Sequence, residues 1–150
     1  CNLFVAVEPK GGKRFVKVTG TRTQRDFAYF VEDLVKKHFP EARFIQLVLD
    51  NLNTHFEGSL IETFGKRKTR RLMQKIKFIY TPKHASWLNM AEIEINIMDS
   101  QCTGGRIENR EKLESDVTIW SEKRNKDKCN IEWKFTKQDA DKKLSNHYVS

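Results

Sequence analysis

The sequence lacks the features that mark membrane-spanning, secreted and zinc-binding proteins. No run of about 18 apolar residues is present, which argues against a membrane-spanning helix. The apolar first residues have no basic leader, so a signal peptide is not expected. Three cysteines (Cys1, Cys102 and Cys129) are widely spaced and form no CxxC pair, so a thiolate zinc site is not expected. These absences indicate a cytoplasmic protein with reduced thiols.

What the sequence contains fits one folded domain with a basic half. Its 150 residues are 38% hydrophobic and include ten Phe, enough to build a core. Residues 1–75 carry 15 basic and 8 acidic side chains, whereas residues 76–150 carry 13 and 12. A basic half attracts polyanions, of which nucleic acid is the usual one. An ordinary basic surface explains the same composition, so charge alone leaves both readings open.

Hydrophobic periodicity predicts an α/β fold with the element order β-β-α-β-α-β-α-α-α. The predicted strands are Leu3–Val7, Arg14–Thr19, Phe44–Leu49 and Lys77–Tyr80. The predicted helices are Thr23–Lys37, Phe56–Phe64, Thr69–Lys75, Ala91–Cys102, Asn109–Arg124, and one from Thr136 that carries Ala140 and Leu144. The first two strands form a hairpin, and the apolar run Phe44–Leu49 is typical of a central parallel strand covered on both faces. Glu122–Lys128 is expected to be an exposed loop, and Ile93 and Ile97 are expected to share one face of their helix.

Three carboxylates lie where catalytic groups collect in α/β proteins. Asp50 ends the most hydrophobic strand, and Glu92 and Glu94 begin a helix. At about 100° per residue, the two glutamates point some 200° apart, so one of them at most can face Asp50. Each acid also has an ordinary structural explanation, as a turn residue or as a negative charge at a helix N-terminus.

Two longer segments select between these explanations. The stretches LVLDNLNTH (residues 47–55) and YTPKHASWLNMAEIE (residues 80–94) closely resemble insertion-sequence transposases of the mariner-like superfamily. In that family a strand ends in Asp-Asn, and a Pro-containing loop leads to Leu-Asn-x-x-Glu. That spacing selects Glu92 over Glu94. The stretches FVAVEP and RNKDKCNIEWKFTKQDADKKL extend the resemblance over nearly the whole chain.

The resemblance implies an RNase-H-like fold, with a mixed sheet flanked by helices, in which three carboxylates hold two divalent metals. Asp50 and Glu92 match two of these acids, as catalytic residues and as metal ligands for Mg²⁺ or Mn²⁺. The family's first Asp lies on a strand before Leu3–Val7, so residues 1–150 are expected to be a catalytic-domain fragment with its first strand missing. The expected partner is DNA at transposon ends and targets, in a cytoplasmic, nucleoid-associated protein. A homodimer is a further partner that the resemblance leaves open.

Other residues are candidates for supporting roles. Asn51, His55 and Asn89 could orient the carboxylates through hydrogen bonds, although a His with no role is an equal alternative for His55. His84 and Trp87 could stack on DNA bases, with Trp87 as a core residue being the alternative. A basic stretch could contact phosphates or could simply be a solvated face. Its members are Lys66, Arg67, Lys68, Arg70 and Arg71.

Three hypotheses follow for the function. The chain is an incomplete metal-dependent endonuclease and strand transferase, a non-catalytic DNA-binding remnant of a transposase, or a degenerate gene fragment. Without the first strand, the Leu3–Val7 hairpin is expected either to pair directly with Phe44–Leu49 or to be loosely attached.

Overall fold

The computed structural model describes residues 1–50, 55–82 and 89–132, together with residues 134, 136, 138, 139 and 142. In this part of the chain, four strands and four α-helices form a mixed α/β arrangement. In chain order they are β1 (Asn2–Glu8), β2 (Lys13–Thr19), α1 (Gln24–Asp33), β3 (Ile45–Leu49), α2 (Glu57–Met73), β4 (Ile76–Tyr80), α3 (Ala91–Met98) and α4 (Arg110–Lys126). The π-helical turns Leu34–His38 and Asp99–Thr103 continue α1 and α3. None of the described helices is long and apolar enough to cross a membrane.

Side-chain caps mark the start of α1 and α4. Thr23 and Asp26 exchange the two hydrogen bonds of a capping box at the start of α1. At the start of α4, Asn109 Oδ1 accepts the backbone N–H of Lys112 at 2.8 Å. Thr136 and Asp139 make a third reciprocal pair. The predicted caps are therefore confirmed, whereas Ala140 and Leu144 of the last predicted helix lie outside the described residues.

The strands form two separate two-stranded sheets. β1 and β2 pair antiparallel, with Asn2 opposite Thr19, and β3 and β4 pair parallel, with Ile45 opposite Ile76. Within the described ranges no ladder joins β1 or β2 to β3 or β4. The expected direct pairing of the hairpin with the Phe44–Leu49 strand is therefore wrong, because β3 pairs with β4 in a separate sheet and no described ladder connects it to the hairpin.

Packing on both faces holds the hairpin in place. Phe4, Ala6 and Phe15 pack in a core built mainly on α1 and α2. On the opposite face, Leu3, Val5, Val16 and Val18 pack in a second core with Met98 of α3 and with Leu113, Val117 and Trp120 of α4. The alternative of a loosely attached hairpin is also wrong, because burial on both faces fixes its position.

The covering of β3 differs from the prediction of a strand enclosed on both faces. Ile45, Leu47 and Leu49 pack in the first core. Val48, whose side chain points to the other face, is 45% exposed. Phe44, just before the strand, is 53% exposed. The continuous apolar run identified a strand but not the number of layers that cover it.

Two predicted boundaries also differ from the structure. α2 is kinked at Gly65 (φ 76°, ψ 162°), which agrees with the predicted helix end at Phe64, but the basic stretch after the kink is already helical before the predicted start at Thr69. α4 continues to Lys126, so most of the expected loop at Glu122–Lys128 is helix. Of the two isoleucines expected on one face of α3, Ile97 packs in the second core and Ile93 is exposed, while Glu94 and Met98 are buried.

Candidate active site

A cavity of about 390 Å³ lies between β1 and β3. Its walls include the consecutive residues 3–7 of β1 and 46–49 of β3. Successive side chains of a strand point to opposite faces, so a cavity that meets consecutive residues borders a strand edge rather than a face. β1 pairs with β2 and β3 pairs with β4 through their other edges. The cavity is therefore a gap between two sheet edges, with Phe27 and Phe30 of α1 on one side.

Asp50 follows the last residue of β3 and lines this cavity. Its Oδ1 lies 2.6 Å from Nδ1 of His55, and the His55 ring stacks on Phe27 with centroids 4.6 Å apart. The neutral His55 tautomer that fits this contact donates from Nδ1 to the carboxylate and leaves a lone pair on Nε2. Nε2 is buried and has no hydrogen-bond partner in the described part of the chain. The contact fixes the direction of one Asp50 oxygen.

Glu92 lies in the first turn of α3 and lines the same cavity as Asp50. The turn before Glu92 is held by Asn89, which also lines the cavity. Asn89 Oδ1 accepts the backbone N–H of Ala91 at 3.1 Å, and its carbonyl accepts the N–H of Glu92 at 3.0 Å. Asn89 thus supports Glu92 through the start of the helix.

Glu94 does not line this cavity and has 0% exposure. Its Oε1 lies 2.8 Å from Nε of Arg14 and 2.8 Å from Nε of Arg124. The sequence did not single out either arginine. A signal was present, because strand alternation places Arg14 on the same face of β2 as Val16 and Val18, which pack in the second core.

The basic stretch divides into two groups on α2. Lys68 is committed to structure, since its Nζ lies 2.8 Å from Oε1 of Glu32 and 3.8 Å from the centroid of the Phe64 ring. The other four side chains are exposed, and at 100° per residue they span about 140° of the helix surface. These four, which we call the basic face of α2, are Lys66, Arg67, Arg70 and Arg71.

Several predicted site residues fall outside the described residues, namely Asn51, His84 and Trp87. Among the described residues, no group of three or more His, Cys, Asp or Glu side chains is arranged to hold a metal ion. The two acids at the cavity supply hard oxygen donors, the ligand type that Mg²⁺ prefers when waters complete its coordination. They fit a partial divalent-cation site.

Comparison with known families identifies the class of protein. A family model for the DDE superfamily endonuclease matches residues 1–114, which include all four strands and both acids of the cavity. The chain therefore belongs to the DDE superfamily endonucleases. Domains of this transposase type act on DNA, and the family generally uses divalent metals. No curated protein and no solved structure matched the chain.

Proposed function

We propose that the chain serves in the catalytic domain of a DNA transposase of the mariner-like insertion-sequence group, with an RNase-H-like fold. The reaction is metal-dependent phosphodiester cleavage at transposon ends, followed by strand transfer. One observation supports this proposal above the others. Asp50 at the carboxyl end of β3 and Glu92 in the first turn of α3 line one cavity, within the residues that the family model matches.

Asp50 and Glu92 are the residues that would hold Mg²⁺ or Mn²⁺. When bound, such a cation acts as a Lewis acid on the phosphodiester and on the attacking oxygen. The chain's own contribution is to aim the ligands. His55 holds Oδ1 of Asp50 at 2.6 Å, and Asn89 starts the helix that carries Glu92. Such supporting contacts keep a carboxylate in the orientation that binding requires.

A third carboxylate is needed for a two-metal site, and the gap between β1 and β3 is a place from which it could come. The inner edges of the two strands carry backbone groups that no described strand pairs. A buried unpaired group costs about 1–3 kcal/mol, so a strand inserted in the gap would be stabilised by both neighbours. We propose that such a strand carries the missing aspartate beside Asp50 and Glu92, and that residues 1–150 alone do not cleave DNA.

A cleavage assay tests this proposal. The substrate is plasmid DNA with the sequences that flank the gene, incubated with Mg²⁺ or Mn²⁺. Two proteins are compared: the 150-residue chain, and a version extended at its N-terminus by a strand with an aspartate. We expect cleavage by the extended version alone, lost in Asp50→Asn and Glu92→Gln and retained in the exposed control Glu111→Gln. Cleavage by the 150-residue chain that disappears in Asp50→Ala would show that two acids suffice.

The basic face of α2 favours a second candidate function, a DNA-binding protein without catalysis. Four exposed basic side chains on one helix surface can contact phosphates with no metal present. The two candidates differ in metal dependence. If the extended version binds DNA equally well with EDTA, and neither cleaves it nor responds to Asp50→Asn, the non-catalytic function is the correct one.

A further inference from the structure

Arg14, Glu94 and Arg124 form a buried ionic cluster where β2, α3 and α4 meet. The side chains of Arg14 and Glu94 are 0% exposed and that of Arg124 is 16% exposed. Arg124 donates from Nε to Oε1 of Glu94 at 2.8 Å, and its guanidinium lies 5.4 Å from the centroid of the Trp120 ring. Arg14 Nε is equally close to Oε1, but its N–H does not meet hydrogen-bond geometry, so this contact is Coulombic.

Further hydrogen bonds fix Arg14 itself. Its Nη1 donates to the carbonyl of Gly12 at 3.0 Å and its Nη2 donates to the carbonyl of Cys129 at 2.6 Å. Asn125 accepts the backbone N–H of Arg14 at 2.8 Å and donates to its carbonyl at 2.9 Å. Arg14 and Asn125 therefore connect the hairpin to the end of α4, and Glu94 connects α3 to both of these elements.

Stability alone does not explain such a cluster. Desolvation of buried ions offsets much of their attraction, and well-packed apolar side chains of similar volume often stabilise a fold as well or better. Buried polar or ionic groups specify one arrangement of neighbouring elements in some proteins, because their contacts depend on direction as well as distance.

The orientation of α3 matters because Glu92 is on the same helix. α3 has eight residues, and only two of its apolar side chains, the buried Met98 and the partly buried Ile97, pack in the second core, so apolar packing constrains its rotation weakly. At the outer radius of a helix, about 5–6 Å, a rotation of roughly 20° displaces a side-chain end by about 2 Å. Functional groups must be held to within about 0.5 Å of their productive position.

We propose that Arg14, Glu94 and Arg124 are positioning residues that set the rotation of α3 and so aim Glu92 at Asp50. This inference rests on the proposed function, in which Glu92 is a metal ligand. Glu92 and Glu94 point about 200° apart, so fixing one side of α3 fixes the other. Neither arginine touches the cavity.

The test separates positioning from stability by replacing the cluster with apolar side chains. The variant combines Arg14→Met, Glu94→Leu and Arg124→Leu. Three quantities are measured on the full 150-residue chain: the Tm, the affinity for Mn²⁺ by titration with EPR detection of free ion, and the metal-free NMR signal of the Ile95 δ1-methyl. Ile95 lines the cavity one helical turn after Glu92, so its methyl reports the rotation of α3.

We expect a folded protein with a cooperative thermal transition, a shifted Ile95 signal, and Mn²⁺ affinity about tenfold lower, as for other residues that orient metal ligands. The control Glu111→Gln, exposed in the first turn of α4, should leave all three unchanged. A folded apolar variant with wild-type Mn²⁺ affinity and an unmoved Ile95 signal would overturn the inference.

If the variant does not fold, Arg124→Lys keeps the charge at the cluster's exposed rim but loses the planar fork. It should weaken Mn²⁺ binding and shift Ile95 in the same direction, and no change in either would overturn the inference.

Two further variants distinguish a failure of the proposed positioning role from a failure of the proposed metal site. Asp50→Asn and Glu92→Gln should each weaken Mn²⁺ binding if the cavity is a metal site. If neither does, the proposed metal site is wrong. The metal-free Ile95 signal then decides by itself whether the cluster sets the rotation of α3, with a shift supporting that role and no shift overturning it.

Discussion

Two charged regions of this molecule have opposite environments. Arg14, Glu94 and Arg124 are enclosed between β2, α3 and α4, with every charge near an opposite one. The basic face of α2 consists of four exposed cations on one helix surface. The charged groups of the first region are buried and contact one another, whereas those of the second remain hydrated and can bind a polyanion.

The difference shows that the type of residue does not determine what a charge does. Burial makes an ionic contact directional and makes its disruption costly, because an unpaired ion in the interior has lost its hydration. An exposed charge contributes little to the free energy of unfolding but can bind phosphate. The two regions therefore predict opposite responses to mutation, which can be ordered by their effect on the free energy of unfolding.

The largest effect is expected at the buried glutamate. Glu94→Ala leaves Arg14 buried without a counter-ion and should lower the free energy of unfolding by about 3–5 kcal/mol. Glu92→Ala, two residues earlier on α3, should change it by about 0.5 kcal/mol or less, because Glu92 lines an open cavity. Urea denaturation of both variants measures the contrast. Equal losses would mean that the buried cluster does not distinguish the two glutamates.

The next largest loss in the free energy of unfolding is expected at Gly65, the kink that precedes the basic face of α2. Gly65 has φ 76° and ψ 162°, a conformation that is essentially restricted to glycine, so Gly65→Ala should cost about 1–3 kcal/mol. Nothing lies within 4 Å of an added Cβ there, so any loss comes from the backbone alone. Gly105 is equally open and has no positive φ, so Gly105→Ala should change stability by about 0.5 kcal/mol or less. A Gly65→Ala variant as stable as the control would show that α2 is not kinked in solution.

A smaller effect is expected at Lys68, the half-buried basic residue of α2. Burial by itself would raise the pKa of Glu32, but hydrogen bonds from Lys36 and Lys68 outweigh it and lower that pKa. Lys68→Met should cost about 0.5–1 kcal/mol, since the ion pair is partly exposed and the Phe64 contact is also lost. Lys66→Met is the exposed control.

The pH dependence of the Lys68→Met loss has a definite sign. A lowered folded-state pKa means that Glu32 stabilises the fold above its unfolded-state pKa, and that this contribution is lost as the pH falls through the folded-state value. The difference between wild type and Lys68→Met should therefore be largest near neutral pH and shrink in acid. Unfolding curves at several pH values check this, and a difference that grows in acid would contradict the assignment to Glu32.

The sequence predicted those parts of the fold that depend on local pattern. Helical spacing identified the buried face of α1, and all five of its predicted core residues are buried. These are Phe27, Phe30, Val31, Leu34 and Val35. Short-range capping chemistry located the helix starts at Thr23 and Asn109. The open face of β3 could not be predicted, because an apolar run does not reveal which layers are present to cover it.

The site was predicted unevenly for a related reason. Asp50 and Glu92 were selected by motif spacing and family resemblance, and the two residues line one cavity. The partnership of Arg14 with Glu94 joins residues far apart in the chain, so no window of sequence contains it. Helical spacing also gave no sign that Glu94 is buried on α3, because an acidic side chain is ordinarily expected at the surface. A buried acid is favoured only where tertiary structure supplies its counter-ion.

The smallest effect on stability is expected at the basic face of α2, where the effect on binding should be clear. The double change Lys66→Gln and Arg70→Gln removes two exposed charges about 40° apart on the helix, and should leave the free energy of unfolding within about 0.5 kcal/mol of wild type.

Each lost phosphate contact should reduce the slope of log affinity against log salt concentration by about one unit. Because phosphates carry no sequence information, the loss should be equal for DNA duplexes of different sequence. Lys10→Gln in the hairpin turn, combined with Lys13→Gln at the start of β2, changes the net charge by the same amount and should leave the slope close to wild type. Fluorescence anisotropy at several salt concentrations measures both slopes. An unchanged slope in the α2 variant would show that its basic face is solvated surface, and the contrast between the two charged regions would then concern stability alone.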